Sequence, residues 1–198
     1  NGFLFFPELF SKNEVKNLKS AVRRVIKIPG ENITPEFNSD KVRMIHGAHD
    51  YDQTFSTLCK HPRIIEPAEQ LLGDKIYIHQ SRLNFNYGFG TGGFYWHQDY
   101  ATWKEIDGLP EPRALMIAIF IDEVTPVNGP LMFIPGSHLF GVLDDFEPIK
   151  DSTGNVLMRL SSRKLSELTE ENGIEMNKDT SNSWIIDPID GTINFLHG

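Results

Sequence analysis

The sequence predicts a mainly β fold with flanking α-helices, in the form of a β-sandwich or jelly roll. Helical patterns occupy the first third of the 198 residues, and closely spaced strands with glycine and proline turns follow. Such spacing is typical of β-sandwiches and jelly rolls, and helices that precede the strands pack outside them. A chain of this length can form one domain with a sizeable core.

The composition narrows the class of protein. Apolar residues make up 39% of the chain and charged residues 23%, as in globular rather than disordered proteins. The net charge of −8 argues against a nucleic-acid partner, and no apolar run approaches the ~20 residues of a membrane helix. The single cysteine, Cys59, excludes an intrachain disulfide. No signal peptide is recognisable, so we expect a cytoplasmic location.

Two helical regions are predicted before the strands begin. Ser11 and Glu14 have the spacing of a capping box, and apolar residues follow at helical intervals up to the next proline–glycine pair. The stretch 30–52 is polar and is expected to be irregular. A second helical region is predicted over about 53–72, interrupted near its prolines and ended by Gly73.

From Lys75 onwards, the spacing of the apolar residues changes to the two-residue period of a strand. In "KIYIHQSRLNFN" every second residue should lie on one face, which then carries Ile76, Ile78, Gln80, Arg82 and Asn84. Polar residues that continue an apolar face have two interpretations. The strand emerges into solvent, or the face turns into a polar cavity. Further on, "RALMIAIFIDEV" suits a strand buried on both faces, and "NGPLMFIPGSH" suits a short strand between two turns.

His97 and Asp99 in "FYWHQDYATW" form the main candidate for chemistry. If this stretch is a strand, the two side chains point to the same side and can reach one ion. A second histidine would complete the 2-His-1-carboxylate arrangement of non-haem Fe(II) oxygenases. A lone His-x-Asp pair is more often found on the surface or hydrogen-bonded, so the pair alone is a weak signal.

Four segments together resemble the phytanoyl-CoA dioxygenase family, and within it the members that hydroxylate ectoine. They are "IYIHQSRLNFNYGF", "FYWHQDYATW", "DGLPEPRAL" and "NGPLMFIPGSH", in the family's order and spacing. The resemblance implies a double-stranded β-helix that uses Fe(II), 2-oxoglutarate and O2 to hydroxylate a small molecule. With the charge and hydropathy described above, we expect a small-molecule substrate and no nucleic-acid or membrane partner, and the oligomeric state stays open.

The resemblance also implies roles for individual residues. It makes His97 and Asp99 the catalytic iron ligands, with Asn84 and Phe94 beside 2-oxoglutarate. The substrate side would carry Gln80, Arg82 and Trp103, although a tryptophan in this position could equally be a core residue. His138 in "IPGSH" is expected to be a structural part of its turn. Departures from the ectoine pattern put ectoine itself in doubt; they fall at Gln98, Ala101, Lys104 and Pro112.

The C-terminal end departs from the family pattern. The family has a distal histidine followed by an arginine that binds the 2-oxoglutarate carboxylate, and the fold is expected to be incomplete here. His197 is the only late histidine, and no arginine follows it. The segment instead resembles the magnesium-binding signature of the inositol monophosphatase family in "TEENG" and "WIIDPIDGTINFLHG". The residues that match it are Glu170 or Glu171, Asp187, the carbonyl of Ile189, and Asp190.

We therefore expect a dioxygenase-like domain over 1–167 joined to a phosphatase-like fragment over 168–198 that is not an independent domain. Three functions follow from the sequence. The first is an Fe(II)- and 2-oxoglutarate-dependent hydroxylase of a small polar molecule. The second is a truncated or hybrid jelly roll without catalytic activity, and the third is a magnesium-dependent phosphatase fragment. In the first, the third iron ligand is either His197 or missing.

Overall fold

The computed structural model describes residues 1–36, 39–87, 95–125, 130–150, 156–173, 175–176, 184–187 and 193–197. At 156–157 and after residue 173 it describes the backbone only. The helices are α1 (Lys12–Val25), α2 (Ala48–Tyr51), α3 (Gln53–Cys59), α4 (Pro62–Leu72), α5 (Asp99–Thr102) and α6 (Ser162–Asn172). A π-helical turn, Trp103–Asp107, continues α5, and Ser137–Leu139 form a 3-10 turn.

The strands form one large and two small antiparallel sheets. They are β1 (Leu4–Phe6), β2 (Ile33–Pro35), β3 (Val42–His46), β4 (Ile76–Asn84), β5 (Ala114–Ile119), β6 (Met132–Phe133), β7 (Phe146–Lys150), β8 (Val156–Leu160), β9 (Glu175–Met176), β10 (Trp184–Asp187) and β11 (Ile193–His197). The large sheet has the order β1-β10-β5-β11-β4-β3-β2, and the small sheets are β6-β9 and β7-β8. The predicted combination of sheets and outer helices is confirmed, and the jelly-roll closure stays a prediction.

β5 is buried on both faces, as its apolar sequence predicts. Leu115 and Ile117 belong to the main core, which is formed with the buried faces of α1, α3 and α4. Since side chains alternate along a strand, Met116 and Ala118 face the other way. They pack against Phe133 of β6. The central sheet therefore has helices on one face and β6 on the other.

The two predicted helical regions begin and end where the sequence predicts. Ser11 caps α1, and its side chain and that of Glu14 exchange hydrogen bonds with the backbone as a complete capping box. The second region divides into α3 and α4, and Gly73 caps α4 in the left-handed conformation. Pro62 begins α4, where its missing N–H costs nothing, and Pro67 lies within the helix without ending it.

The stretch predicted to be irregular contains β2, β3 and α2, so that prediction is wrong. Ile45 of β3 is fully buried in the main core, and it pairs with Leu83 of β4. β2 has only three residues and pairs with β3. Strands this short leave little alternation to detect, and their stability comes from partners far away in the sequence.

β4 is a strand, but the predicted single face is wrong because a β-bulge divides it. Against β11, Phe195 pairs with Ile78 and Asn194 pairs with Gln80, so His79 is an extra residue on β4. Before the bulge Ile76 and Ile78 pack on the helix side, and after it Leu83 and Phe85 do. Gln80, Arg82 and Asn84 thus share the sheet face opposite to the helices.

In the part of the chain that the structure describes, no helix is both long and apolar enough to cross a membrane.

Candidate metal and substrate site

His97 and Asp99 lie side by side, although not in a strand as expected. Residues 95–98 have no regular structure, and Asp99 is the first residue of α5. The chain turns there, so the two side chains converge, and His97 Nε2 lies 3.2 Å from Asp99 Oδ1. The start of a helical turn also favours a carboxylate, because the backbone N–H groups there point outwards.

The orientation of the His97 ring suits a metal ligand. Its Nδ1 lies 2.6 Å from the carbonyl oxygen of Tyr95, which can only accept a hydrogen bond. Nδ1 therefore carries a proton, and Nε2 faces the Asp99 carboxylate. In a neutral ring Nε2 is an acceptor facing another acceptor, and such a contact becomes favourable when a cation or a proton lies between the two. Main-chain contacts of this kind orient metal-binding histidines.

Both side chains are partly buried, with 28% of His97 and 13% of Asp99 exposed. An imidazole nitrogen and a carboxylate oxygen are ligands that non-haem iron accepts, so these two residues fit such a metal. Among the described residues, no group of three or more histidine, cysteine, aspartate or glutamate side chains could hold a metal ion. The structure thus brings together two of the three residues that the sequence analysis expects around a metal, and their role as ligands stays a prediction.

The segment that carries the pair is fixed by its neighbours. The carbonyl of Trp96 accepts a hydrogen bond from Leu160 N at 2.7 Å. The Gln98 side chain donates to the carbonyl of Gly141 and accepts from Leu143 N, both at 2.9 Å. Gln98 is one of the departures from the ectoine pattern, and here it ties the ligand segment to a loop.

The polar residues after the bulge form a second part of the site. Arg82 donates to Gln80, and both are partly buried, whereas Asn84 is exposed. His46 pairs with Arg82 across the sheet, and its Nε2 lies 3.0 Å from Thr34 Oγ1. Burial and then the charge of Arg82 lower the pKa of His46, so its ring is mostly neutral at pH 7. Sequence reasoning missed His46, because it lies in the stretch expected to be irregular.

Trp103 is almost fully buried, with 2% of its surface exposed, and it packs against Ala114 and Leu109. Its indole also meets the edge of the His79 ring, with 5.7 Å between the ring centroids. His79 Nε2 lies 2.9 Å from Asp107 Oδ2. Sequence reasoning missed this histidine and aspartate, although "IHQ" and "DGLP" lie within the segments that carry the resemblance. The substrate role of Trp103 stays a prediction.

The other residues named in the sequence analysis have fewer described contacts, or lie outside the described part of the chain. Phe94, Ile189 and Asp190 lie outside the described residues. Glu170 and Glu171 are exposed near the end of α6, and Asp187 ends β10. The backbone of His197 pairs with Ile76, at the end of β4 that precedes the bulge. His138 packs so closely on Gly2 that a Cβ there would lie 2.2 Å from its Nδ1, in keeping with a structural role.

Two family descriptions match parts of the chain. The phytanoyl-CoA dioxygenase family matches residues 1–173, and the inositol monophosphatase family matches residues 155–198. An ectoine dioxygenase of Sphingopyxis alaskensis is 40% identical over 142 residues, which are 70% of this chain and 46% of that protein. An L-proline trans-4-hydroxylase of Streptomyces griseoviridis is 37% identical over 145 residues, 73% of this chain and 54% of that protein.

Solved structures show the same relationship. EctD from S. alaskensis with 2-oxoglutarate and 5-hydroxyectoine has a TM-score of 0.78 and 31% identity, over 98% of this chain and 65% of that one. The same protein with bound Fe has a TM-score of 0.77 and 30% identity, over 99% of this chain and 72% of that one. The chain shares the fold of these proteins and spans about half the length of the curated relatives it matches.

Proposed function

Because the chain belongs to the phytanoyl-CoA dioxygenase family, we propose that it is an Fe(II)- and 2-oxoglutarate-dependent dioxygenase, or the larger part of one, that hydroxylates a small polar molecule. The observation that supports this most is the convergence of His97 Nε2 and Asp99 Oδ1 at 3.2 Å, with the imidazole oriented by a carbonyl.

The residues of the chain have separate tasks in this proposal. His97 and Asp99 hold the metal, and the hydrogen bond from Nδ1 to Tyr95 keeps Nε2 directed at it. Asn84 and Phe94 contribute to the site for 2-oxoglutarate. Iron, when bound with 2-oxoglutarate and O2, supplies the oxidising power for hydroxylation of a C–H bond. The protein supplies ligand geometry and a site from which bulk water is excluded.

The substrate side consists of Gln80, Arg82 and Trp103. Arg82 lies beside a mostly neutral His46, so its positive charge is available to an anionic ligand. A guanidinium matches a carboxylate in shape as well as in charge. We therefore propose a small amino or imino acid as the substrate class, a class to which ectoine and L-proline, named in two relatives, both belong.

Removal of one metal ligand tests the proposal. The chain is titrated with 2-oxoglutarate in the presence and absence of Fe(II), and succinate is measured with ectoine and with L-proline as probes. Asp99→Asn should weaken the Fe(II)-dependent binding of 2-oxoglutarate at least about tenfold, because one ligand bond is worth more than about 1.4 kcal/mol. Asp144→Asn, at an exposed aspartate, is the matched control. If wild type shows no Fe(II)-dependent 2-oxoglutarate binding, the non-catalytic alternative is favoured.

The third metal ligand is tested separately at His197. If this residue completes the site, His197→Ala should weaken Fe(II) binding about as much as Asp99→Asn does. An unchanged affinity would show that the chain holds iron without it. Under the proposed division at residue 167, His197 belongs to the phosphatase-like fragment, so a loss of affinity would assign one iron ligand to that fragment.

A magnesium-dependent phosphatase is the third candidate, supported by the match of residues 155–198 to the inositol monophosphatase family. In that proposal Glu170 or Glu171, Asp187 and Asp190 hold the metal, since Mg²⁺ prefers carboxylate oxygens. Phosphate release from inositol monophosphate, abolished by Asp190→Asn, is the test. We rank this function last, because the match covers a small part of the chain.

A further inference from the structure

His79 and Asp107 form a hydrogen-bonded pair between two elements that both carry proposed site residues. The Nε2–Oδ2 distance is 2.9 Å, and the side chains are 19% and 29% exposed, so the contact lies at the surface of the protein. His79 lies on β4 next to Gln80, and Asp107 ends the π-helical turn that begins with Trp103.

The bulge of β4 places the His79 ring in this position. As the extra residue of the strand, His79 is displaced from the regular alternation and its ring meets the indole of Trp103 edge-on, at an interplanar angle of 74°. One imidazole therefore makes two contacts with the same turn. Its ring edge contacts the residue that begins the turn, and its Nε2 contacts the residue that ends it.

The turn connects the pair to the candidate metal site. Trp103 N–H donates to the carbonyl of Asp99, and Leu109 N–H donates to the carbonyl of Trp103 at 3.1 Å. The π-helical turn thus follows the metal-ligand segment without a break. Isolated π-helical turns and β-bulges both interrupt regular hydrogen bonding, and both are found frequently at functional sites. Here the two irregularities face each other.

We propose that His79 and Asp107 are positioning residues that hold the turn of residues 99–107 against β4. This inference rests on the proposed function, since the turn carries Asp99 at one end and Trp103 in the middle, and β4 carries Gln80 and Arg82. The pair thereby fixes the distance between the metal-binding and substrate-binding parts of the site. Neither residue is required to touch the metal or the substrate.

A contribution to stability alone would give a different result. A hydrogen-bonded pair with this exposure contributes at most about 1 kcal/mol to global stability, and its removal would affect all protected amides alike. A positioning role predicts a local effect, because only the turn loses its attachment to β4. The two cases are distinguished by hydrogen exchange measured on the protein alone.

Asp107→Asn and His79→Phe provide the test. Phenylalanine keeps a ring edge against Trp103 but cannot donate to Asp107, and the Asp107→Asn change removes the charge that the imidazole faces. In both variants the Leu109 amide should exchange about three- to fivefold faster, which corresponds to about 0.7–1 kcal/mol of local opening. The amide of Ile117 in β5 should be unaffected. Glu69→Gln, which removes the exposed ion pair with Lys75, is the control and should change neither.

A kinetic measurement tests whether the turn matters for the reaction. With ectoine and L-proline as probes, both variants should raise the substrate KM and the amount of 2-oxoglutarate consumed per hydroxylated product. Wild-type exchange at Leu109 in both variants would overturn the inference. The inference would also be overturned if wild type is active and the variants show faster exchange at Leu109 but an unchanged KM and an unchanged consumption of 2-oxoglutarate per product. If wild type converts neither probe, the proposed function fails for them, and the exchange measurement alone decides whether the pair holds the turn.

Discussion

At the residue scale, the contacts of His97 show what a short motif predicts and what it leaves open. The sequence identifies His97 and Asp99 as neighbours of one site, and the structure brings them to 3.2 Å. The expected strand is absent, because the chain turns into α5 at Asp99. The carbonyl of Tyr95 that orients the ring belongs to the backbone. Every residue has a backbone carbonyl, so the sequence does not show which one contacts the imidazole; that depends on the local turn.

Gln98 gives a prediction at the same scale. Its amide makes two hydrogen bonds to the backbone at Gly141 and Leu143, as a strand partner would. Gln98→Ala should lower the free energy of unfolding by about 1 kcal/mol, because the partly buried hydrogen bond from Leu143 contributes roughly 1 kcal/mol and the exposed one to Gly141 contributes less. Denaturation with urea measures this difference. Gln70→Ala, at an exposed position of α4, should change stability by less than about 0.5 kcal/mol. Equal effects of the two changes would contradict the prediction.

At the element scale, local signals predict the helices well and the strands only in part. The capping box of α1 and the glycine cap of α4 involve residues a few positions apart, so they can be recognised in the sequence. The bulge at His79 depends on the register between β4 and β11. One extra residue moves every later side chain to the other face, and the alternation of polar and apolar residues cannot reveal it when both faces carry polar groups.

The capping box predicts a dependence of stability on pH. Hydrogen bonds from the backbone N–H of Ser11 and from Arg63 lower the pKa of Glu14 from 4.5 to about 2. A lowered carboxyl pKa stabilises the folded state above pH 4.5, and this contribution is lost as the pH falls towards 2. The contribution is less than about 1 kcal/mol, since over a third of the side chain is exposed.

Glu14→Gln tests this dependence. The difference in unfolding free energy between wild type and Glu14→Gln should be constant from pH 7 to about 5, shrink below pH 4.5, and vanish near the folded pKa. Urea denaturation at a series of pH values measures it. Glu66→Gln on α4 is the control, because this residue is exposed and the substitution is the same. A difference that persists at pH 2 would show that the charge of Glu14 is not its cause.

At the scale of the whole molecule, β5 is the central element of the described structure. It packs on helices through Leu115 and Ile117, and it lies between β10 and β11 in the large sheet. Apolar composition predicts the burial of β5, but not its partners. The C-terminal segment resembles a second family in sequence, whereas its backbone pairs with β5 in the large sheet. A sequence motif reflects family relationship and local chemistry. Pairing in a sheet requires only an extended backbone and side chains whose alternation suits the two faces of the sheet.

The role of β11 in the sheet gives the final prediction. Asn194 pairs with Gln80 on one side and with Met116 on the other, so its position has strands on both sides. Proline in a central strand removes a ladder hydrogen bond and clashes with its neighbours. Asn194→Pro should therefore destabilise the protein by about 3 kcal/mol or more, a large fraction of the usual ~5–15 kcal/mol. Asn194→Ala keeps the backbone N–H and should lower the stability far less. If both variants unfold at the wild-type urea concentration, the C-terminal segment lies outside the cooperative fold, and the candidate site is formed without it.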